Sequence, residues 1–293
     1  TTEERHKKSV QDLWQKLLNN GEIYLDSYSG WYAVRDEAFY GEGELTEGSD
    51  GKRLAPSGAE VEWVEEPSYF FKLSAWGDKL LKFYDENPDF IAPESRRNEV
   101  LSFVRGGLRD LSISRTTFNW GVPVPGDNKH IMYVWLDALA NYVTGVGYPK
   151  INAGEYAIYW PCDLHMVGKD ILRFHAVYWP AFLLAAGLET PKRIYAHGWW
   201  TNEGEKISKS LGNVIDPVDL VDRYGLDQVR YFLLREVPFG NDGDFSHKAI
   251  VNRMNGELAN DLGNLTQRVL SMVAQNCDGL VPHYGEFTTD DLA

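Results

Sequence analysis

The stretch Leu164–His197, LHMVGKDILRFHAVYWPAFLLAAGLETPKRIYAH, decides the fold class. Leu164 to Val167 is a short apolar run of the kind a buried strand makes, Asp170 to Ala186 has helical spacing, and Arg193 to His197 is strand-like again. Upstream, Ile131 to Val134 is β-like, Val134 to Val143 is helical, and Ala157 to Tyr159 is a further buried-strand candidate. Strands alternating with helical stretches of about 10–15 residues predict an α/β fold with a parallel, doubly wound half-sheet.

Working outward, Val10, Leu13, Trp14, Leu17 and Leu18 recur at helical spacing and Gly21 follows as a stop. Ile23 to Leu25, Gly30 to Val34, Ala38 to Tyr40 and Glu60 to Val64 read as strands of a small sheet, with Glu42 to Gly58 a solvated loop or hairpin arm. Tyr69 to Tyr84 has helical periodicity, a second helix is predicted over Pro93 to Arg105, and Ile113 to Phe118 is β-like. Beyond Asp216 the chain turns helical, over Pro217 to Tyr224, Asp227 to Arg235 and His247 to Gln275.

Composition narrows the function. The 293 residues are 43% hydrophobic and 25% charged, which suits a soluble globular chain and excludes a disordered or fibrous one. No apolar run approaches the roughly 20 residues that span a bilayer, so no membrane partner is expected. Lys and Arg number 29 against 43 Asp and Glu, a net charge of −14. A chain this acidic is no non-specific nucleic-acid coat, although a local basic patch for one nucleic acid stays open. Cys162 and Cys277 are the only cysteines, far apart and outside any Cys-x-x-Cys pattern, which excludes a disulfide scaffold and a thiolate zinc site. A cytoplasmic location is expected.

Lys206-Ile207-Ser208-Lys209-Ser210, followed by Leu211 to Pro217, carries the sharpest chemical signal. Two lysines three apart on a Ser- and Gly-bearing loop can aim two ammonium groups at one polyphosphate, and such cations suit charge that develops on phosphoryl oxygens. A bare Lys-x-Ser-Lys would otherwise be an exposed basic turn. Elsewhere, Ile171, His175 and Trp179 drift by only about 40° per step and share one helical face. Trp135, Ala138, Leu139 and Tyr142 form another. Two such faces make either an aromatic pocket or ordinary core. A pocket of this kind suits an unbranched thioether, since sulfur–ring contacts are worth about 0.3–1.5 kcal/mol each.

Taken together, these motifs resemble the methionyl-tRNA synthetase family of class I aminoacyl-tRNA synthetases. Lys206–Ser210 resembles its Lys-Met-Ser-Lys-Ser signature with Ile207 for Met, Trp135-Leu136-Asp137-Ala138 and Tyr142 its first methionine-pocket segment, and Gly168-Lys169-Asp170-Ile171 with His175 and Trp179 its second. Gly30-Trp31-Tyr32 through Tyr40 resembles its connective insert. The resemblance implies methionine–tRNA ligase activity: methionine and ATP, with Mg2+, give methionyl-adenylate, and the methionyl group passes to tRNA(Met). It implies catalytic roles for Lys206 and Lys209, and ATP contacts from Ser208, Lys209, Gly168, Lys169, Gly198 and Trp199. Methionine contacts would come from Trp135, Ala138, Leu139, Tyr142, Asp170, Ile171, His175 and Trp179, with Arg109 paired to Asp170. Asn264 and Arg268 match its anticodon-reading positions. Each has a bland alternative: a surface ion pair for Arg109, a buried strand end for Gly198 and Trp199, helix packing for Asn264 and Arg268.

The implied fold is the second half of a class I Rossmann-type parallel sheet with a mixed α+β insert. Residues 1–20 would be the last helix of the first half, 21–132 the insert, 133–199 the second half, 200–255 the lysine-loop and stem-contact region, and 256–293 the start of an α-helical anticodon-binding bundle. The family's His-Ile-Gly-His signature is absent, so the first half of the nucleotide fold is expected to lie outside these residues and the chain alone to be inactive. The insert has no cysteine, so no zinc is expected. Synthetases for leucine, isoleucine or valine carry larger inserts. The rival from another class is a non-catalytic tRNA-binding protein descended from a synthetase.

Overall fold

The computed structural model describes residues 1–33, 38–48, 51–207 and 212–291, in two compact units, Thr1–Ala196 and His197–Ala293. The first unit opens with the helix Glu4–Asn19, whose stripe of Val10, Leu13, Trp14 and Leu17 is wholly buried. The chain turns at Gly21, φ +73°, into one long strand, Ile23–Ala33, where the sequence predicts two short runs. This strand pairs antiparallel with Glu62–Phe71, from Ile23 opposite Phe71 to Tyr32 opposite Glu62. Ala38–Tyr40 and Leu111–Ser112 complete a four-stranded sheet on either side. The sheet is an arm. Its inner end, Ile23 and Phe71, is in the core, while Trp63 near the outer end is 57% exposed. A small hairpin, Thr46–Glu47 with Arg53–Leu54, stands at that outer end.

The helical periodicity from Tyr69 misleads. Tyr69 to Phe71 belong to the strand, a 3-10 turn covers Leu73–Trp76, and the helix proper is Gly77–Glu86. The pairing of Phe70 and Phe71 with Ser112 and Leu111 overrides the local spacing. Ala157 to Tyr159 are likewise not a buried strand. They end the helix Gly154–Tyr159, with Ile158 and Tyr159 largely exposed.

The parallel sheet has three strands, in the order His165–Gly168, Ile194–His197, Ile91–Ala92. Ile194 lies opposite Ile91 and Tyr195 opposite Ala92, in parallel. The third strand therefore comes from the region between the arm and the helix Glu94–Arg105. The helix Val134–Gly145 and the helical run from Lys169 to Ala185 share one apolar core with the sheet and the first helix.

The second unit has its own small core, Leu220, Val229, Phe232, Phe245 and Ile250. It holds a three-stranded sheet, Glu205–Lys206, Trp200–Asn202 and Gly243–Phe245. The helices Pro217–Tyr224 and Leu226–Arg235 follow, then a continuous helical run from His247 to Asn276 that widens to a π-helix over Met254–Gly263.

Candidate active site

The helical run that carries Ile171, His175 and Trp179 is irregular ahead of Pro180. It starts as a 3-10 turn, Lys169–Ile171, widens to a π turn over Phe174–Tyr178, and ends as the α-helix Trp179–Ala185. Pro180 has no N–H for the carbonyl of Ala176 and its ring crowds that carbonyl. The Tyr84 hydroxyl donates to the Ala176 carbonyl at 2.6 Å and satisfies it from a distant helix. The π turn ahead of Pro180 brings His175 and Trp179, both buried, and the half-buried Ile171 onto the wall opposite Tyr142.

His175 is fixed at both nitrogens. Its Nδ1–H donates to the Ile171 carbonyl at 2.9 Å, because a carbonyl only accepts. Nε2 is then the acceptor of a neutral ring, and the Tyr142 hydroxyl donates to it at 2.8 Å. Burial lowers the pKa of His175 and raises that of Tyr142, so both stay uncharged. The Tyr142 ring meets His175 edge-on at 5.5 Å and lies 6.4 Å from Trp179. Trp135 stacks flat on Phe174, 3.4 Å between centroids. On their shared helix Ala138 is exposed, Trp135 and Tyr142 are half-buried, and Leu139 is packed in the core at 2% exposure.

The opposite side of the same helix is anchored by a buried pair that the sequence does not advertise. Asp137 accepts from His6 Nε2 at 2.6 Å and from the Thr1 hydroxyl at 2.7 Å. His6 Nδ1 lies 2.9 Å from the Thr144 hydroxyl, which itself donates to the Ala140 carbonyl. His6 and Asp137 are 131 positions apart, so only the fold reveals the link.

Arg109 is exposed, and the buried guanidinium of its segment is Arg115, 6% exposed. Arg115 bonds the Ser112 hydroxyl and the Ser114 carbonyl, lies 3.4 Å from the Glu66 carboxylate and covers the Tyr133 ring at 3.9 Å. With Met132, Tyr133, Asp137 and Ala138 it lines a cleft of about 700 Å³. Asp170 is exposed, and Gly168 and Lys169 are half-buried, at the turn between strand and helix.

In the second unit, a Cβ on Gly198 would fall 2.3 Å from the Asn241 carbonyl oxygen, so this close backbone approach needs glycine. The Trp199 N–H donates to the Asp242 carboxylate at 2.9 Å, and Lys206 Nζ lies 5.3 Å from the centre of the Trp199 ring. Ser208 and Lys209 lie outside the described residues. The flanks of their loop are pinned: the Asn213 side chain donates to the Lys206 carbonyl at 3.0 Å, and Asp216 caps the next helix by accepting from the Val218 N–H. Asn264 and Arg268 share the exposed face of the helix Asn264–Asn276 and line a groove of about 520 Å³.

Comparison with known proteins identifies relatives of the whole chain. The family model described as tRNA synthetases class I (M) matches residues 1–270. The methionine–tRNA ligase of Brucella suis biovar 1 (strain 1330) is 64% identical over 293 residues, all of this chain and 57% of its own length. That of Rickettsia bellii (strain RML369-C) is 66% identical over 282 residues, 96% of this chain and 54% of its own. The chain thus spans little more than half the length of the curated relatives it matches. Among solved structures, Mycobacterium tuberculosis methionyl-tRNA synthetase in complex with methionyl-adenylate superposes with a TM-score of 0.88 at 61% identity, over all of this chain and 57% of that one. The apo form of the same synthetase gives 0.86 at 58%, with the same coverage.

Proposed function

The chain belongs to the class I tRNA synthetases (M), and from that premise we propose that it serves a methionine–tRNA ligase: methionine and ATP form methionyl-adenylate and pyrophosphate, and the methionyl group then passes to tRNA(Met). Its fold is that of the class I catalytic domain, a parallel sheet with helices. The observation that carries the substrate assignment is the uncharged aromatic wall of Trp135, Tyr142, His175 and Trp179. With His175 committed to Ile171 and Tyr142, it offers rings, and no charge, to an unbranched side chain with a polarisable sulfur. Ile171 and Ala138 complete that lining in this reading, and Leu139 supports it from the core side.

No protein nucleophile is required. The methionine carboxylate attacks the α-phosphorus and expels pyrophosphate, and a ribose hydroxyl then attacks the acyl carbon and expels AMP, so catalysis comes from positioning and from cations on the phosphates. Lys206 and Lys209 take that second role, with Ser208, Lys169 and the backbone at Gly168 as further phosphate contacts, and Gly198 and Trp199 beside the base. Arg109 and Asp170 belong to the amino-acid end. In this reading Mg2+ arrives with ATP, and no zinc is expected, because the insert has no cysteine.

In this proposal residues 1–20 are the last helix of the first Rossmann half, 21–132 the insert, 133–199 the second half, 200–255 the lysine-loop and stem-contact region, and 256–293 the start of the anticodon-binding bundle. The last is supported by exposed Leu265, Val269 and Met272, an apolar stripe beside Asn264 and Arg268. A cytoplasmic location goes with this reading; no helix among the described residues is long and apolar enough to cross a membrane. Calorimetric titration of the full-length protein tests the substrate. Methionine should bind about tenfold or more tighter than branched leucine, and equal affinities would reject the pocket.

A further inference from the structure

The helix Val134–Gly145 carries two stripes. At about 100° per residue, Trp135 and Tyr142 lie within about 20° of each other, as do Asp137 and Thr144, and the two pairs stand about 160° apart. The first stripe faces the run that carries Phe174 and His175. The second meets the helix Glu4–Asn19. There a single ring, His6, bridges both members of the stripe, with Nε2 2.6 Å from the Asp137 carboxylate and Nδ1 2.9 Å from the Thr144 hydroxyl. A carboxylate only accepts, so the Nε2–H donates. The other Asp137 oxygen accepts from the Thr1 hydroxyl. His6, Asp137 and Thr144 are all buried. The first helix also holds the chain just past the end of the second: the Ser9 hydroxyl lies 2.6 Å from the Tyr148 carbonyl, and the Tyr148 hydroxyl donates to Asp12 at 2.5 Å.

Stability alone does not call for this bridge. Leu13, Trp14, Leu136, Leu139 and Val143 already place the two helices in one apolar core. Replacing both partners of a buried polar pair by apolar groups of similar shape is often neutral or stabilising. Apolar packing is non-directional and lets a helix slide or turn slightly, whereas satisfied buried hydrogen bonds fix its place. The front stripe has little tolerance. The Tyr142 hydroxyl sits 2.8 Å from His175 Nε2, and a slip of about 1 Å would take the two out of hydrogen-bond range. We propose that His6 and Asp137 are positioning residues for the amino-acid pocket: they set the register of the helix Val134–Gly145 from behind and so hold Trp135 and Tyr142 against the substrate side chain. The inference rests on the amino-acid-binding role proposed for that wall. Asp137 itself is not a substrate contact in it, because its two oxygens are committed to His6 and Thr1.

The test is steady-state pyrophosphate exchange by the full-length protein, with the amino acid that wild type activates, beside thermal unfolding of each variant. His6→Phe keeps a ring, deletes both nitrogens and leaves Asp137 without its donor. It should lower the thermal midpoint and raise the amino-acid KM about tenfold, with KM for ATP unchanged within about twofold. Combining His6→Phe with Asp137→Leu makes the contact apolar. The double variant should recover the thermal midpoint and keep the raised KM, because packing returns and register does not. A pair that only holds the fold would behave otherwise: KM does not depend on the folded fraction, so it would return to the wild-type value with the midpoint. The proposal is overturned if the amino-acid KM of the double variant lies within about twofold of wild type, or if KM for ATP rises as much. It is equally overturned if the double variant does not fold, since the pair would then hold the fold itself. Should His6→Phe alone fail to fold, the double variant decides. If wild type activates leucine in place of methionine, the methionine reading falls and the same comparison is made with leucine; exchange with no amino acid overturns both.

Discussion

Tyr142 and His175 face each other from two helices, and the Tyr142 hydroxyl donates to His175 Nε2 at 2.8 Å while the opposite ring nitrogen is tied to the Ile171 carbonyl. Burial keeps both polar side chains uncharged inside an aromatic wall, and their hydrogen bond joins the two helices.

Removing one partner should therefore expose the other. Tyr142→Phe leaves His175 Nε2 without its donor, a loss of about 1–3 kcal/mol for a buried group. We expect KM for methionine to rise about tenfold, with KM for ATP unchanged within about twofold. Steady-state kinetics of the full-length enzyme decide it: equal rises in both would make the pair a support of the fold alone.

His165 gives the fold a pH dependence of definite sign. Burial holds its pKa at about 4, below the ordinary 6.5, so the unfolded chain binds the proton more readily. Stability is complete above pH of about 6.5 and is lost as pH falls toward about 4, by at most about 3 kcal/mol. Urea unfolding of wild type and His165→Phe across that window is the measurement. The variant should show a flatter dependence, and parallel curves would mean that His165 is not buried neutral.

Gly198 has a packing role independent of any ligand. A Cβ there would fall 2.3 Å from the Asn241 carbonyl oxygen. Gly198→Ala should push the backbone apart and destabilise the second unit by about 1–3 kcal/mol. A thermal midpoint unchanged within error would show that the approach relaxes at no cost.

Much of this arrangement is legible in the sequence because it is local. Val10, Leu13, Trp14 and Leu17 declare their helix, and His175 and Trp179 declare a shared face, through spacing alone. What spacing cannot carry is pairing across the chain. Ile91–Ala92 are too short to read as a strand until Ile194 and Tyr195 lie beside them. Tyr84 gives no sign that it will satisfy Ala176, nor His6 that it will find Asp137. The apolar run at Tyr69–Phe71 fits both periodicities, and Leu111–Ser112 settles it as strand. In the Arg109–Arg115 segment, only burial distinguishes the enclosed cation from the exposed one.

Lys209 is expected to act on the phosphates and not on the methionine side chain. Lys209→Ala should leave methionine affinity nearly unchanged and slow adenylate formation by roughly two to three decades, the usual worth of a cation that tightens on developing charge. Lys209→Arg should rescue only in part, since a planar fork replaces a compact charge poorly. Single-turnover adenylate formation by the full-length enzyme reads this out. An Ala variant within about threefold of wild type would make the loop a solvated turn.

The most direct test of the whole account is amino-acid-dependent exchange of pyrophosphate into ATP by the full-length protein, run separately with methionine, leucine, isoleucine and valine. The aromatic, uncharged pocket around Tyr142 and His175 predicts exchange with methionine, at least about tenfold faster in kcat/KM than with any of the branched three. Exchange driven as well by a branched amino acid would contradict the pocket assignment, and no exchange with any of them would contradict the enzyme reading itself.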